Sequence, residues 1–141
     1  VRTLRGVRYY NDSIASSPSR TIAGLRSFPE KVILIAGGYD KHIPFDVLGP
    51  EVTAHVKLLV LCGATAEKIR AAVEAAPDYR PGHPEIIEVT PFRAAVEAAR
   101  DRAVPGDVVT LSPACAAFDQ FRNFAERGKV FKEIVRSWPE E

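Results

Sequence analysis

A chain of 141 residues, 46% apolar and 26% charged, has room for one domain with a real core and an ordinary globular composition. Its net charge of +1, from 19 basic and 18 acidic side chains, points neither to nucleic acid nor to an anionic membrane surface. The longest apolar runs, VILIAG and LLVLC, fall far short of the roughly 18–20 residues that cross a bilayer. Two cysteines are too few for a disulfide framework or a four-ligand zinc site.

The sequence opens on Val1 in mid-stride, without Met or a charged-then-apolar leader, so a domain of a longer cytoplasmic protein is expected. GVRYY reads as the first strand, because aromatics suit a pleated surface. The polar link NDSIASSP follows, and Ser17-Pro18 reads as N-cap and first helical position of a helix running to about Phe28. KVILIAGG is a continuously apolar strand closed by two glycines, and GYDKHIP is a loop. FDVLGPEVTAHV should be a short helical region broken at Gly49-Pro50.

KLLVLCG is the next buried strand, and Thr65 is placed to cap a helix over 66–76 with Ile69, Ala72, Val73 and Ala76 on one face. After DYRPGHP comes the strand EIIEVT. Thr90-Pro91 then repeats the cap signature before a helix over 92–103. DVVTLS is the last strand. Beyond it the pattern predicts a short helix to about Arg127, a break at Gly128, and a final helix with Val130, Phe131, Ile134, Val135 and Trp138 inward. Strands apolar on both faces alternating with amphipathic helices mean α/β, with a doubly wound, mainly parallel sheet and helices on both faces. Ligands in such sheets bind beyond the C-terminal strand ends.

Three of those ends carry unusual loops. In GGYDK the glycines permit positive φ and a close approach to a ligand, and Lys41 offers a cation; alone it equally fits a tight turn with a solvated lysine. It is neither GxGxxG nor GxxxxGK[ST], so no dinucleotide fingerprint or P-loop is present. NDSIASS holds Asp12, an acceptor for ribose or base, and Ser16, a donor to a carboxylate; the same residues also cap loops. LSPACAA is a strand-to-helix turn of small residues whose N–H groups could hold an anion. A nucleophilic Cys115 would need a base, and no spacing ties His42, His55 or His83 to it; a packed thiol fits better. The histidines form no metal-ligand cluster.

Taken together, YNDS at 10–13, ILIAGGYDK at 33–41 and LSPACAAFDQFRNFAERG at 111–128 resemble the C-terminal domain of the Mur ligases, and within them the D-glutamate-adding branch. The resemblance covers nearly the whole chain. It implies a Rossmann-like domain that closes over the active site of a three-domain, ATP-dependent amide ligase of peptidoglycan synthesis. In that family ATP phosphorylates the carboxylate of UDP-N-acetylmuramoyl-L-alanine, and the amine of D-glutamate displaces phosphate. The N-terminal domain holds the UDP-sugar, and the central domain holds the P-loop and Mg²⁺.

By the same resemblance Asp12, with Asn11 beside it, reaches the ATP ribose. Lys41 pairs with a carboxylate of D-glutamate, Ser16 helps hold a carboxylate, and Phe118 and Phe124 line the glutamate side-chain end. Ala117 occupies the place of a serine whose hydroxyl touches the side-chain carboxylate, and Ile14 that of a lysine. No catalytic or metal-binding residue is expected in this domain, which alone should be inactive. The rival readings are a Mur ligase domain for another amino acid, a flavodoxin-like binding module, and a Cys115-dependent transferase.

Overall fold

The computed structural model describes residues 2–38, 44–82, 84–115 and 121–139. Over these, strands β1 (Arg2–Leu4), β2 (Val7–Asn11), β3 (Val32–Ala36), β4 (Val56–Leu61), β5 (Glu85–Glu88) and β6 (Val108–Leu111) form one six-stranded sheet in the order β1-β2-β6-β3-β4-β5. All neighbours are parallel except β1 and β2. The helices are α1 (Pro18–Arg26), α2 (Leu48–His55), α3 (Ala66–Glu74), α4 (Phe92–Arg102) and α5 (Phe124–Ser137). The expected doubly wound α/β architecture is the one observed.

The period-two alternation of the strands divides the core into two layers. Ile33, Ile35, Leu58, Val60, Val109 and Leu111 face α4 and α5, meeting Ala95, Val96, Phe131 and Val135. Leu34, Leu59, Leu61 and Val108 face the other way, onto Leu25 of α1, Leu48 and Val52 of α2, and Ile69 and Val73 of α3. Such two-sided burial is why VILIA and LLVL are apolar without interruption. Trp138, just past α5, meets Tyr9 of β2 edge-on at 5.4 Å between ring centres and anchors the helix end to the sheet.

Five local features differ from the sequence pattern, one of them the N-cap of α4, which is Pro91 rather than Thr90. The segment before GVRYY is a strand of its own: Arg5 (φ 52°) and Gly6 (φ 79°) make a two-residue turn between the paired Leu4 and Val7. α2 runs through Gly49-Pro50 unbroken, because Pro50 stands in the first turn, where its missing N–H has no intrahelical acceptor to satisfy.

Gly128 does not break a helix either. α5 begins at Phe124, with the Asn123 side chain accepting from the Glu126 N–H at 2.8 Å, and passes through Gly128. A Cβ on Gly128 would stand 2.8 Å from the Asn11 side-chain nitrogen and 3.2 Å from Ser13 Cβ, so glycine is there to let α5 lie against the loop after β2. Finally, Thr65 precedes α3 as expected but its hydroxyl caps nothing, being turned inward to another use.

The turn after β3 is set by Gly37. With φ of 111° and a would-be Cβ only 2.1 Å from the Cys62 carbonyl oxygen, the position excludes every side chain. Its close approach is thus to the neighbouring strand end. Gly37→Ala is expected to cost at least about 3 kcal/mol, combining left-handed strain with a backbone clash. Chemical denaturation of the variant would check this, and wild-type stability would refute the geometry.

Candidate functional site

Because β6 lies between β2 and β3, the loops that follow these three strands are neighbours at one edge of the sheet. Backbone hydrogen bonds carry the sheet into the loops: Asp12 N–H donates to Leu111 O (2.8 Å), Ser112 N–H to Ile35 O (3.2 Å) and Gly37 N–H to Pro113 O (2.9 Å). Ala114 takes a left-handed φ of 63° while its N–H donates to Ala15 O at 2.9 Å. That conformation is strained for a residue with a Cβ.

The loop after β2 is folded on itself by its small polar side chains. Asn11 Oδ1 accepts from Ser13 N–H at 3.0 Å, closing an Asx-turn, and Ala15 N–H donates to Asp12 O at 2.9 Å. Asp12 Oδ2 accepts from the Ser112 hydroxyl at 2.8 Å. Thr21, fully buried on α1, donates to the Ser112 carbonyl at 3.1 Å. The Asp12 carboxyl is thereby fixed at the ends of β2 and β6, close against Gly24 of α1. Its burial raises its pKa above the usual carboxylate value, opposed by the Ser112 hydrogen bond and the charge of Arg20.

The most buried charge at this edge belongs to Arg127, 2% exposed in the first turn of α5. Its Nε donates to Ser13 Oγ at 2.8 Å, Nη2 to Ser13 O at 2.6 Å, and Nη1 to Cys115 O at 2.9 Å. Nη2 also lies 3.5 Å from Ser16 Oγ. Ser13 Oγ in turn donates to the Phe124 carbonyl at 2.7 Å. One guanidinium thus touches the loop after β2 and the turn after β6, and reaches the start of α5 through Ser13.

Thr65 performs a similar service on the other side. Completely buried, its Oγ1 accepts from Gly38 N–H at 3.0 Å and lies 3.2 Å from Cys115 Sγ, joining the loops after β3, β4 and β6. Cys115 is itself buried, as is Cys62, and neither is in a disulfide. Among the described histidines, His55 stands on α2 beside Glu51 at 3.7 Å, so it gives Cys115 no base. A packed thiol behind a turn is what the geometry offers.

Of the residues singled out by sequence, Asn11, Asp12, Ser16 and Phe124 come together at this edge. Asn11 is occupied by its own turn, Ser16 is half-buried beside Arg127, and Phe124 is 45% exposed at the first position of α5. Lys41, Ala117 and Phe118, with His42 and His83, lie outside the described residues. Sequence reasoning passed over Ser13, Ser112 and Arg127 and gave Thr65 only a capping role. Arg127 did leave a signal: it stands 4, 7 and 11 places before the inward-facing Phe131, Ile134 and Trp138, a charge on an apolar stripe.

Comparison with known proteins gives three results. Residues 1–115 match the family described as Mur ligase, glutamate ligase domain. The chain is 57% identical over 135 residues to a UDP-N-acetylmuramoylalanine--D-glutamate ligase of Clostridium kluyveri, covering 96% of this chain. It is 56% identical over 139 residues, covering 97% of this chain, to the ligase of the same name from Acetivibrio thermocellus. The chain spans about 30% of the length of these relatives. Among solved structures, one of UDP-N-acetylmuramoyl-L-alanyl-D-glutamate--2,6-diaminopimelate ligase is similar over 98% of this chain and 31% of its own, with a TM-score of 0.61 and 12% identity. A domain from a candidate UDP-N-acetylmuramate:L-alanyl-gamma-D-glutamyl-diaminopimelate ligase of Haemophilus ducreyi 35000HP has a TM-score of 0.59 at 12% identity, over 94% of this chain and 95% of its own. At that identity the two structures speak to the fold, and they agree with it.

The raised pKa of Asp12 fixes the sign of a pH effect. The folded chain holds this proton more tightly than the unfolded one. Its contribution is therefore fully present below the unfolded pKa of about 3.9 and is lost as pH rises through the folded value. Asp12→Asn, which keeps an acceptor for Ser112 but does not titrate, should gain in Tm relative to wild type as pH rises from below 4 toward 7. A Tm difference that stays flat or shrinks over that range would contradict the assignment.

Proposed function

This chain belongs to the Mur ligase family, in its glutamate ligase domain, and on that premise we propose that it is the C-terminal, substrate-closing domain of a cytoplasmic D-glutamate ligase of peptidoglycan synthesis. The observation that carries the reading is identity above 50% along nearly the full chain to ligases named for D-glutamate. The parent protein would join D-glutamate to UDP-N-acetylmuramoyl-L-alanine, with two further domains upstream supplying the UDP-sugar site and the P-loop.

In this reading the reaction needs three things of the domain: a hold on the nucleotide, a hold on the amino acid, and closure over both. ATP phosphorylates the substrate carboxylate, and the acyl phosphate that forms is attacked by the amine of D-glutamate. Phosphate then leaves from the tetrahedral intermediate. Asp12, with Asn11 shaping its turn, offers carboxylate Oδ1 to ribose hydroxyls while Ser112 holds Oδ2. Lys41, Ser16, Phe118 and Phe124, with the backbone at Ala117, would receive the dianionic D-glutamate; an ammonium, a hydroxyl and turn N–H groups are the donors such a ligand requires. Mg²⁺ is assigned by the same reading to the central domain. None of the described helices is long and apolar enough to cross a membrane.

The test is phosphate release by the full-length protein with ATP, Mg²⁺ and UDP-N-acetylmuramoyl-L-alanine, comparing D-glutamate with L-glutamate, L-lysine and L-alanine. Release dependent on D-glutamate is expected, and folded protein that responds to none of the four would refute the reading. Within that assay, Lys41→Ala should raise the KM for D-glutamate far more than that for ATP; equal rises would remove Lys41 from the amino-acid site. Cys115→Ala should retain most of the activity, and its complete loss from a folded enzyme would restore the nucleophile reading.

A further inference from the structure

Buried arginines are costly, because the guanidinium stays charged and every N–H must find an acceptor. A leucine at position 127 would continue the apolar stripe of α5 at no such cost. We propose that Arg127 is a positioning residue for the amino-acid site, setting the loop after β2 and the turn after β6 in register so that Ser16 and Phe124 face one ligand. The proposal rests on the ligase reading above.

The geometry separates two anchors within a single loop. Asp12 is held from β6, by Leu111 O on its N–H and by Ser112 on its carboxylate. Ser13 is held from α5 by Arg127, whose Nη2 also lies 3.5 Å from Ser16 Oγ. Through Ser13 Oγ the same guanidinium fixes the Phe124 carbonyl, and through Nη1 it fixes Cys115 O. Of the residues assigned to D-glutamate, Ser16 and Phe124 therefore depend on Arg127, whereas the residue assigned to ribose depends on Ser112. Lysine cannot replace the planar fork: one ammonium does not reach from Ser13 O to Cys115 O with matched directions.

The experiment is steady-state phosphate release by the full-length protein, as wild type, Arg127→Lys, Ser13→Ala and the double variant, with thermal melts to establish folding. Arg127→Lys is expected to raise the KM for D-glutamate on the order of 10- to 100-fold, as displaced binding groups do, and to change the KM for ATP by no more than about twofold. Ser13→Ala should shift the same constant in the same direction by less. The double variant should be no worse than Arg127→Lys, because both act through one linkage.

An unchanged KM for D-glutamate in folded Arg127→Lys overturns the proposal, and so do equal rises in both constants, the mark of a merely structural role. Effects that multiply in the double variant overturn it as well. If Arg127→Lys does not fold, Ser13→Ala decides: a selective rise supports the linkage and an unchanged KM overturns it. A folded wild type that releases no phosphate with D-glutamate overturns the ligase reading, and the proposal falls with it.

Discussion

The placement of β6 between β2 and β3 is the constraint on which the rest of the structure depends. Val109 pairs with Tyr9 on one side and Ile33 on the other, so a strand of four residues holds two halves of the sheet together. Its side chains are buried on both faces. Without it the loops after β2 and β3 would end on separate pieces of structure. With it they become neighbours of the SPACA turn, and a site assembled from residues far apart in sequence has a common floor. The parallel direction of the three strands puts all their C-terminal ends on the same side.

A floor alone does not hold loops still. Loops of Asn, Ser, Ala and Gly bury little apolar surface, and their order has to come from hydrogen bonds. Three buried groups supply them here: Arg127 from α5, Thr65 from the start of α3, and Ser112 with Thr21 from β6 and α1. Arg127 and Thr21 reach from helices, and Thr65 and Ser112 from their own loops, to a loop they do not belong to. The lack of a Cβ at Gly37 and Gly128 serves the same end, letting Gly37 approach the Cys62 carbonyl and α5 approach the loop after β2 more closely than a Cβ would allow. The described part of the site is thus braced by hydrogen bonds from its surroundings, an arrangement that keeps binding groups within tolerance.

What could be read from the sequence, and what could not, divides along the range of the interactions. β3 and the LLVL of β4 were plain as apolar runs, and β6 nearly so with its one Thr110, because burial on both faces leaves little room for alternation. The stripes of α3, α4 and α5 were plain for the matching reason. The β1–β2 hairpin escaped because Arg5-Gly6 lacks the usual Asn-Gly signature, although Gly6 supplies the φ the turn needs. Gly49-Pro50 and Gly128 misled because a helix breaker is one only in the wrong place: Pro50 sits where no N–H is needed, and Gly128 where the loop after β2 must come close.

At the site, Asp12 and Ser16 in the loop after β2 and Phe124 at the start of α5 were legible from motif as candidates. Arg127, Thr65 and Ser112 were not, since their roles consist of contacts with partners as many as 114 positions away. Strand order is likewise nonlocal, and nothing in the run of residues announces that the last strand belongs in the middle.

That last feature governs how the chain can acquire its shape. Until residues 108–111 are available, β1–β2 and β3–β4–β5 are two separate ribbons, and each presents an unpaired parallel edge to its surroundings. An emerging polypeptide cannot complete this domain from its beginning onward; it must hold both edges open and admit the final strand between them. The same edges invite a strand from another molecule, the usual route to swapped dimers and aggregates. A chain interrupted before Val108 accordingly loses far more than its final quarter: it is left with two open edges and no central strand to unite them.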